Sequence, residues 1–240
     1  GLDLVALQLQ VAQGQELGFT QDDVTLSGHA IEVRLYAEDP AQDFMPQTGQ
    51  VLRWQPSENA RNDHGIVEGQ EVSAHYDPMI AKVISYAPTR TQAIAKLRKA
   101  LGDTELLGLK HNAAFLSELL NTEVFRTGEA TTQYIEEGFL PQYDGNADSP
   151  SMALAAQAIY LNSEVADEAR RGWRSVASMP WPVRLQLGEK NTDITIRESA
   201  VGEFEIRVAD ELLILSEIEL DDGAIHARIG DKRHSAHYLT

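Results

Sequence analysis

The sequence predicts an α+β protein in which a small antiparallel sheet with covering helices is followed by a helix and an antiparallel, barrel-like set of strands. Three patterns lead to this fold class. Residues 31–38 alternate strictly between apolar and polar side chains, as in a half-buried strand. Residues 89–101 and 112–120 carry apolar side chains at helical spacing. From residue 183 onward, short apolar runs alternate with Gly, Asn and Asp turn residues, which is typical of a β-meander.

Residues 1–140 are predicted to form one unit. A helix over residues 2–13 begins it, because apolar residues recur there at helical spacing between Asp3 and Gly14. The strands of the sheet are predicted at residues 31–38, 51–55, 71–74 and 79–86. Thr89 and Asn112 are suitable N-caps for the two covering helices, since both side chains can accept a hydrogen bond from the first helical turn.

Turn-forming residues without an apolar period fill positions 141–150, which we interpret as a linker to a second unit over 151–240. That unit starts with an amphipathic helix predicted over 151–171. Six short strands are predicted after it, at residues 183–187, 193–197, 204–208, 212–218, 224–229 and 235–239. Six strands are few for a closed barrel, and the last one coincides with the end of the sequence. We therefore expect a curled, open sheet in a chain that is cut at both ends.

The composition excludes several classes of function. Hydrophobic residues make up 42% of the chain without any low-complexity run, so the protein can bury a core. Its 20 Lys and Arg residues face 37 Asp and Glu residues, and a net charge of −17 would repel both nucleic acid and anionic lipid. The absence of cysteine excludes disulfides, thiolate nucleophiles and Cys-ligated metals. No stretch approaches the roughly 20 apolar residues of a membrane span, so we predict a cytoplasmic protein.

Sequence motifs for nucleotide, metal and hydrolase chemistry are missing. The sequence contains no phosphate-binding loop, dinucleotide fingerprint, HExxH zinc motif or GxSxG nucleophile elbow. His226, His234 and His237 lie in one short region. A turn separates His226 from the other two, which fall on opposite faces of a predicted strand, so surface histidines are favoured over a metal site. We therefore predict no bound metal.

Arg34 is the strongest candidate for a functional residue. It lies on the polar face of the predicted strand 31–38, between Glu32 and Tyr36, where neighbouring groups can orient its guanidinium group. Taken alone, these residues favour a surface ion pair over a functional cation. Asp77 belongs to a second cluster, in which an Asp-Pro turn precedes a strand.

Several tracts together make the sequence recognisable. GHAIEVRLYAEDP at 28–40, FMPQTG at 44–49, YDPMIAK at 76–82 and GLKHN at 108–112 closely resemble the C-terminal domain of biotin carboxylase. The resemblance spans roughly residues 1–140. The helix and strands from residue 151 onward resemble the domain that docks the biotin-bearing α subunit of acyl-CoA carboxylases onto its partner. The tracts look most like 3-methylcrotonyl-CoA carboxylase, followed closely by the propionyl-CoA and geranyl-CoA enzymes.

The resemblance implies an ATP-dependent ligase in the intact subunit. In this family, MgATP activates bicarbonate, and the carboxyl group passes to biotin on a carrier domain of the same chain. A carboxyltransferase β subunit then transfers that group to the acyl-CoA. The resemblance places the ATP-grasp region before residue 1 and the biotin-bearing AMKM tract after residue 240. We therefore expect this fragment to bind neither MgATP nor biotin stably and to be inactive alone.

The resemblance also assigns residue roles. Arg34 matches the family arginine that faces the ureido group of biotin, so it is predicted as both the catalytic and the cofactor-binding residue. There, a cation would stabilise the negative charge formed as the ring nitrogen loses its proton. Asp77 is the first candidate for the carboxylate that orients Arg34, and Glu32 is the second. The alternative hypothesis is a non-catalytic interaction module that docks a carboxyltransferase subunit. The acyl-CoA substrate is left open by the sequence.

Overall fold

The computed structural model describes residues 2–143, 145, 147–163, 180–187, 190–221 and 223–239. Its helices, small antiparallel sheets and curled six-stranded sheet confirm the predicted α+β class. The part of the predicted helix that covers residues 164–171 lies outside the described residues.

The first unit alternates short strands with helices. Its helices are α1 (Leu4–Ala12), α2 (Arg90–Asp103), α3 (Ala113–Asn121) and α4 (Glu123–Thr127). Its strands are β1 (His29–Tyr36), β2 (Glu38–Asp39), β3 (Met45–Pro46), β4 (Gly49–Gln50), β5 (Arg53–Gln55), β6 (Arg61–His64), β7 (Glu71–Val72), β8 (Met79–Ala87) and β9 (Glu105–Leu107). A π-helical turn spans Ile135–Phe139.

The central sheet has three strands in the order β1-β8-β6, all antiparallel. The predicted alternation in β1 is confirmed, because Ile31, Val33 and Leu35 are buried while Glu32 and Arg34 are exposed. A strand with this pattern covers a core on one face and leaves the other face polar. The sheet therefore presents Arg34 on its polar face.

Helix α2 covers the apolar face of this sheet. Thr89 caps it as predicted, since its side chain accepts a hydrogen bond from the amide of Gln92. The fully buried Leu97 belongs to the same apolar cluster as Val33 and Val83 of the sheet. Burial of a leucine side chain contributes about 1.5–3 kcal/mol, so this stripe holds the helix against the sheet.

Aromatic contacts fasten α3 to two distant segments. The ring of Phe115 lies edge-on to Phe44, with centroids 5.1 Å apart, and contacts Tyr143 at 5.2 Å in the same manner. Edge-to-face pairs of this kind contribute about 0.5–1.5 kcal/mol beyond their buried area. Both the loop after β2 and the segment before residue 145 are therefore held against α3.

The second unit is a helix surrounded by a meander. Helix α5 (Ser149–Asn162) is capped by Asp148, whose carboxylate accepts from the amide of Ser151. Six strands follow in sequential antiparallel order, namely β10 (Trp181–Leu187), β11 (Lys190–Ala200), β12 (Glu203–Val208), β13 (Glu211–Asp221), β14 (Ala224–Ile229) and β15 (Lys232–His237). Leu154 of the helix packs in one buried cluster with Ile206 and Leu215. The predicted helix and curled antiparallel sheet are thus present, and the structure packs the sheet around the helix.

Several short elements escaped the sequence patterns, among them β6, β9 and α4. Strand β6 has the sequence RNDH, which shows no apolar alternation, and it is a strand because it pairs with β8. Strand β9 and helix α4 are too short to produce a period. Helix α1 forms as predicted, but none of its residues is buried.

The buried apolar residues form separate clusters in the two units. The cluster around α5 contains only residues from 153 onward, whereas the other clusters lie before residue 140. The boundary at 141–150 stays a prediction. Among the described residues, no helix is both long enough and apolar enough to span a bilayer.

Candidate functional site

The polar face of the central sheet carries a small array of charges around Arg34. The Nε atom of Arg34 lies 4.0 Å from Oε1 of Glu32, and the two side chains are 62% and 41% exposed. The strand register places Lys82 of β8 directly opposite Arg34 and Asp63 of β6 opposite Lys82. Directly opposed residues point to the same face of a sheet. The Arg34 guanidinium is thus loosely paired, and most of its surface is open to a ligand.

Another arginine on this face forms a tight ion pair with a carboxylate. Arg61 donates two hydrogen bonds to Asp63, from Nε to Oδ1 and from Nη2 to Oδ2, both at 3.0 Å. These bonds lower the pKa of Asp63, and the charge of Lys82 acts in the same direction. Such a two-pronged pair fixes the guanidinium plane. Arg34 lacks a partner of this kind among the described residues, so the two arginines differ in what they can still bind.

A buried asparagine lies along the edge of β1 that β8 does not cover. Asn112 is 4% exposed and precedes α3. Its Oδ1 accepts from the amide of Tyr36 at 3.0 Å, its Nδ2 donates to the carbonyl of Arg34 at 3.3 Å, and its own amide donates to the carbonyl of Tyr36 at 3.2 Å. The side chain makes no capping bond within α3, in contrast to the role predicted from the sequence. The side-chain amide of Asn112 forms its hydrogen bonds with β1 instead.

Two acidic residues follow β1 and differ in their electrostatics. Glu38 accepts from Nδ2 of Asn112 at 2.8 Å, but burial dominates and raises the pKa of its carboxyl group. In contrast, Lys110 donates to Asp39 at 2.6 Å and lowers the pKa of that carboxyl group. Burial also lowers the pKa of the neighbouring His111, which favours its neutral form.

An apolar cavity of about 330 Å³ opens beside Arg34. Its polar side is contributed by Glu32, Arg34, Tyr36, Glu38 and Asn112. Its other walls are apolar side chains from the loop after β2, from α3 and α4, and from the π-helical turn, namely Phe44, Phe115, Leu116, Leu119, Phe125 and Ile135. Ligand sites commonly combine such apolar walls with a few polar groups. The cavity therefore places apolar surface next to the exposed guanidinium.

The structure separates the two carboxylates that were predicted to orient Arg34. Glu32 is adjacent to the guanidinium. Asp77 precedes β8 and accepts from the amide of Met79 at 2.8 Å, as expected for an Asp-Pro turn. Because the register places Lys82 opposite Arg34, Asp77 lies five positions before that point on the neighbouring strand. Of the two candidates, the structure brings only Glu32 to Arg34.

The three histidines of the second unit make different contacts. His226 lies 2.7 Å from the hydroxyl of Ser235 and 3.2 Å from the carboxylate of Asp221. His237 approaches Glu105 of the first unit at 3.3 Å. His234 is paired with Ala227 in the β14–β15 ladder. Within the described ranges, no three His, Asp or Glu side chains form a group that could hold a metal ion.

A comparison with protein-family models matches residues 32–137 to the biotin carboxylase C-terminal domain. This range contains residues 32–36 of β1, including Arg34, together with the cavity walls and Asn112. Residues 32–137 belong to the biotin carboxylase C-terminal domain family. The tracts that predicted this family from the sequence are therefore confirmed.

Curated relatives share this domain. The chain is 39% identical to the propionyl-CoA carboxylase alpha chain of Ruegeria pomeroyi over 69% of its length and 28% of the relative. It is 44% identical to a biotin carboxylase of Halalkalibacterium halodurans over 56% of the chain and 30% of the relative. It is 31% identical to the mitochondrial methylcrotonoyl-CoA carboxylase subunit alpha of Rattus norvegicus over 93% of the chain and 34% of the relative. The chain thus spans about a third of the length of these relatives.

Solved structures agree with this assignment. The biotin carboxylase subunit of a pyruvate carboxylase matches with a TM-score of 0.57 and 36% identity, over 62% of this chain and 33% of that one. The biotin carboxylase domain of the Hydrogenobacter thermophilus 2-oxoglutarate carboxylase, in complex with MgADP, ADP and bicarbonate, gives the same TM-score at 33% identity and the same coverage. The fold of the first unit is therefore that of a biotin carboxylase C-terminal domain.

Proposed function

We propose that this chain works as part of the biotin carboxylase subunit of an acyl-CoA carboxylase, in which Arg34 binds the ureido group of biotin and supports its carboxylation. One observation carries the proposal. Within a biotin carboxylase C-terminal domain, Arg34 holds an exposed guanidinium beside an apolar cavity, with Glu32 as its loosely placed neighbour.

The residues around Arg34 fit a small, flat and partly apolar ligand. The guanidinium offers planar N–H donors that suit a ureido oxygen, and the cavity offers walls for carbon atoms. When bound, biotin supplies the ring nitrogen that receives the carboxyl group. Arg34 supplies a permanent positive charge and fixed donors, which stabilise negative charge that develops on a neighbouring oxygen. Glu32 limits the range of orientations of the guanidinium without neutralising it in a tight pair.

Nucleotide chemistry does not fit these residues. The sequence has no glycine-rich phosphate loop, and no group of metal-binding carboxylates occurs within the described part of the chain. We assign MgATP and bicarbonate binding to other parts of the subunit. The proposed role of this chain is to complete the biotin side of the reaction.

The second unit supports an acyl-CoA carboxylase over a free-standing biotin carboxylase. The alignment with the rat methylcrotonoyl-CoA carboxylase subunit extends over 93% of the chain, and so includes residues of the second unit. The alignment with the Halalkalibacterium halodurans biotin carboxylase covers 137 residues. We propose that the second unit docks a carboxyltransferase β subunit and that a biotin carrier domain belongs to the same subunit.

We assign the substrate to the class of acyl-CoA thioesters for which the relatives are named. Relatives named for propionyl-CoA and for methylcrotonoyl-CoA match at 39% and 31% identity. The substrate implied by the predicted likeness, 3-methylcrotonyl-CoA, is therefore one member of the proposed class of acyl-CoA substrates. The cytoplasmic location stays a prediction, and the rat relative is named as mitochondrial.

Kinetics of the full-length subunit test the role of Arg34. The Arg34→Ala variant should lower turnover in biotin carboxylation by roughly 10²–10³, the cost of losing one donor to a developing charge. The Michaelis constant for MgATP should stay nearly unchanged, because the nucleotide binds elsewhere. Arg34→Lys should also lose most activity, since a compact ammonium cannot reproduce the planar donors.

The matched control is Arg61→Ala. Arg61 is exposed on the same face of the same sheet and is held by Asp63, so its loss should leave turnover unchanged. Wild-type turnover in a folded Arg34→Ala subunit would contradict the proposed catalytic role. If that subunit still bound its carboxyltransferase partner, the alternative hypothesis of an interaction module would be favoured.

A further inference from the structure

We propose that Asn112 is the positioning residue for Arg34, acting through its hydrogen bonds to the free edge of β1. The inference rests on the proposed function of Arg34 and extends it to a residue that lines the same cavity and acts through its bonds to the strand carrying Arg34. The side-chain amide of Asn112 takes the place that a neighbouring strand would otherwise occupy.

The free edge of β1 offers a specific row of polar groups. In an antiparallel strand, the N–H and C=O of one residue point to the same edge, and alternate residues share that edge. Arg34 and Tyr36 are two positions apart, and both turn their backbone groups away from β8 toward Asn112. The carbonyl of Arg34 and both the amide and the carbonyl of Tyr36 bond to Asn112. One residue therefore satisfies three consecutive groups of an exposed strand edge.

Only an amide side chain meets this demand. An asparagine side chain has one acceptor oxygen and a nitrogen with two donors. Oδ1 accepts from Tyr36, while Nδ2 serves both the carbonyl of Arg34 and the carboxylate of Glu38. A carboxylate in the same place would keep the acceptor, lose both donors and face the charge of Glu38. An apolar side chain would leave these part-buried partners of the Asn112 side chain without their bonds, which is costly.

These bonds act on the backbone from which Arg34 projects. The side chain of Arg34 is 62% exposed, and among the described residues its ion-pair contact is the 4.0 Å approach to Glu32, so its position depends on where β1 lies. A strand edge without a partner leaves a row of backbone N–H and C=O groups unpaired. A displacement of about 1 Å in a reacting constellation can cost roughly 10²-fold in rate. Asn112 fixes this edge at the residue where the position matters.

Two variants at position 112 test the inference in the full-length subunit. Asn112→Asp removes both side-chain donors. Asn112→Ser shortens the side chain, so that it no longer reaches β1, and adds no charge. Turnover in biotin carboxylation should fall roughly 10- to 100-fold in each variant, while the Michaelis constant for MgATP changes less than about twofold. In the Asn112→Asp background, Glu38→Gln should restore part of the turnover, because the new amide at position 38 can donate to the introduced carboxylate.

Two controls separate positioning from a general loss of structure. Asn121→Ala removes a bond to Arg98 at the far end of the same helix. Thr104→Ala removes bonds to Ser57 and Ala100 elsewhere in the first unit. Both variants should keep wild-type turnover. If Thr104→Ala lowered the melting temperature and the turnover in the same proportion as the Asn112 variants, the positioning role would be refuted.

A second measurement on the 240-residue chain is independent of activity. Amide hydrogen exchange at Tyr36 should be at least about tenfold faster in Asn112→Ser, because its N–H loses its acceptor. Unchanged exchange at Tyr36, or wild-type turnover in both folded Asn112 variants, would overturn the inference. Normal turnover in Arg34→Ala together with fast exchange in Asn112→Ser would instead refute the proposed function while leaving the strand contact in place.

Discussion

The imidazole of His237, in β15 of the second unit, lies 3.3 Å from the carboxylate of Glu105 in β9 of the first unit. Glu105 is 9% exposed, and its other oxygen accepts from the guanidinium of Arg53. One nearly buried carboxylate thus contacts a cation of its own unit and a histidine of the other. The contact couples the position of the last strand of the meander to the first unit.

Removing the Glu105 carboxylate should destabilise the first unit and weaken its contact with the second. Glu105→Gln is expected to lower the free energy of unfolding of the first unit by about 3 kcal/mol, because Arg53 is only 28% exposed and loses its neutralising charge. His237→Ala should have a smaller effect on stability. Urea unfolding measures the first quantity, and the rate of proteolytic cleavage within residues 141–148 reports separation of the units.

Cleavage should be faster in both variants than in the wild type. The control is Arg184→Ala, which removes an exposed ion pair with Asp193 inside the second unit. Its cleavage rate should match the wild type. Equal cleavage rates in His237→Ala and the control would show that the contact does not hold the units together.

The core of the second unit contains a polar side chain without a partner. Gln157 of α5 is fully buried, and neither of its amide atoms forms a hydrogen bond within the part of the chain that the structure describes. Gln157→Leu should therefore raise the free energy of unfolding of this unit by about 1–3 kcal/mol. Gln157→Glu should lower it at neutral pH, because a carboxylate would be buried without a counter-charge. Urea titration measures the free energy of unfolding of each variant, and a destabilised Gln157→Leu variant would contradict the prediction.

The pH dependence of stability should report on Glu38. Burial raises the pKa of this carboxyl group above its ordinary value of 4.5. The associated stability is present below that value and is lost as the pH rises through the pKa of the folded state. Glu38→Gln keeps an oxygen for Asn112 and removes the titration. The variant should gain stability relative to the wild type between about pH 4 and pH 7.

Melting temperatures across this range measure the difference between the two proteins. Asp39 titrates with a lowered pKa in both, because Lys110 is retained, so its contribution cancels in the comparison. Glu32→Gln, in an exposed and loose pair, is the matched control and should run parallel to the wild type. Parallel curves for Glu38→Gln and the wild type would contradict the prediction.

The 240-residue chain by itself should not bind MgATP. The sequence lacks a phosphate-binding loop, and the matched family model covers the C-terminal domain of biotin carboxylase. Isothermal titration with MgATP should therefore show no saturable heat. Saturable binding at micromolar concentration would mean that part of the nucleotide site lies within these residues.

Local patterns in the sequence were sufficient for the longer helices and strands of the first unit and for the placement of Arg34. Alternation over 31–38 put Arg34 on the polar face of a strand, and the structure has Ile31 and Val33 buried beneath it. Thr89 could be recognised as an N-cap because its side chain accepts a hydrogen bond from the amide of Gln92, only three positions later in the chain. Short strands such as β6 were missed, since an RNDH segment becomes a strand only through its pairing with β8.

The family was also readable from the sequence, because its rare tracts follow one another in order and the matched model covers residues 32–137. The contacts between the strand of Arg34 and distant segments could not be read from the sequence. Asn112 lies 76 positions from Tyr36 in the chain, and its side chain bonds to the strand and not to its own helix. Likewise, the register of β1 against β8 leaves Asp77 apart from Arg34, whereas Glu32 lies beside Arg34 on the same strand, as the alternation already predicted. Periodicity and capping depend on residues within a few positions of each other, whereas these contacts depend on how distant segments pack, and only the tertiary structure decides that.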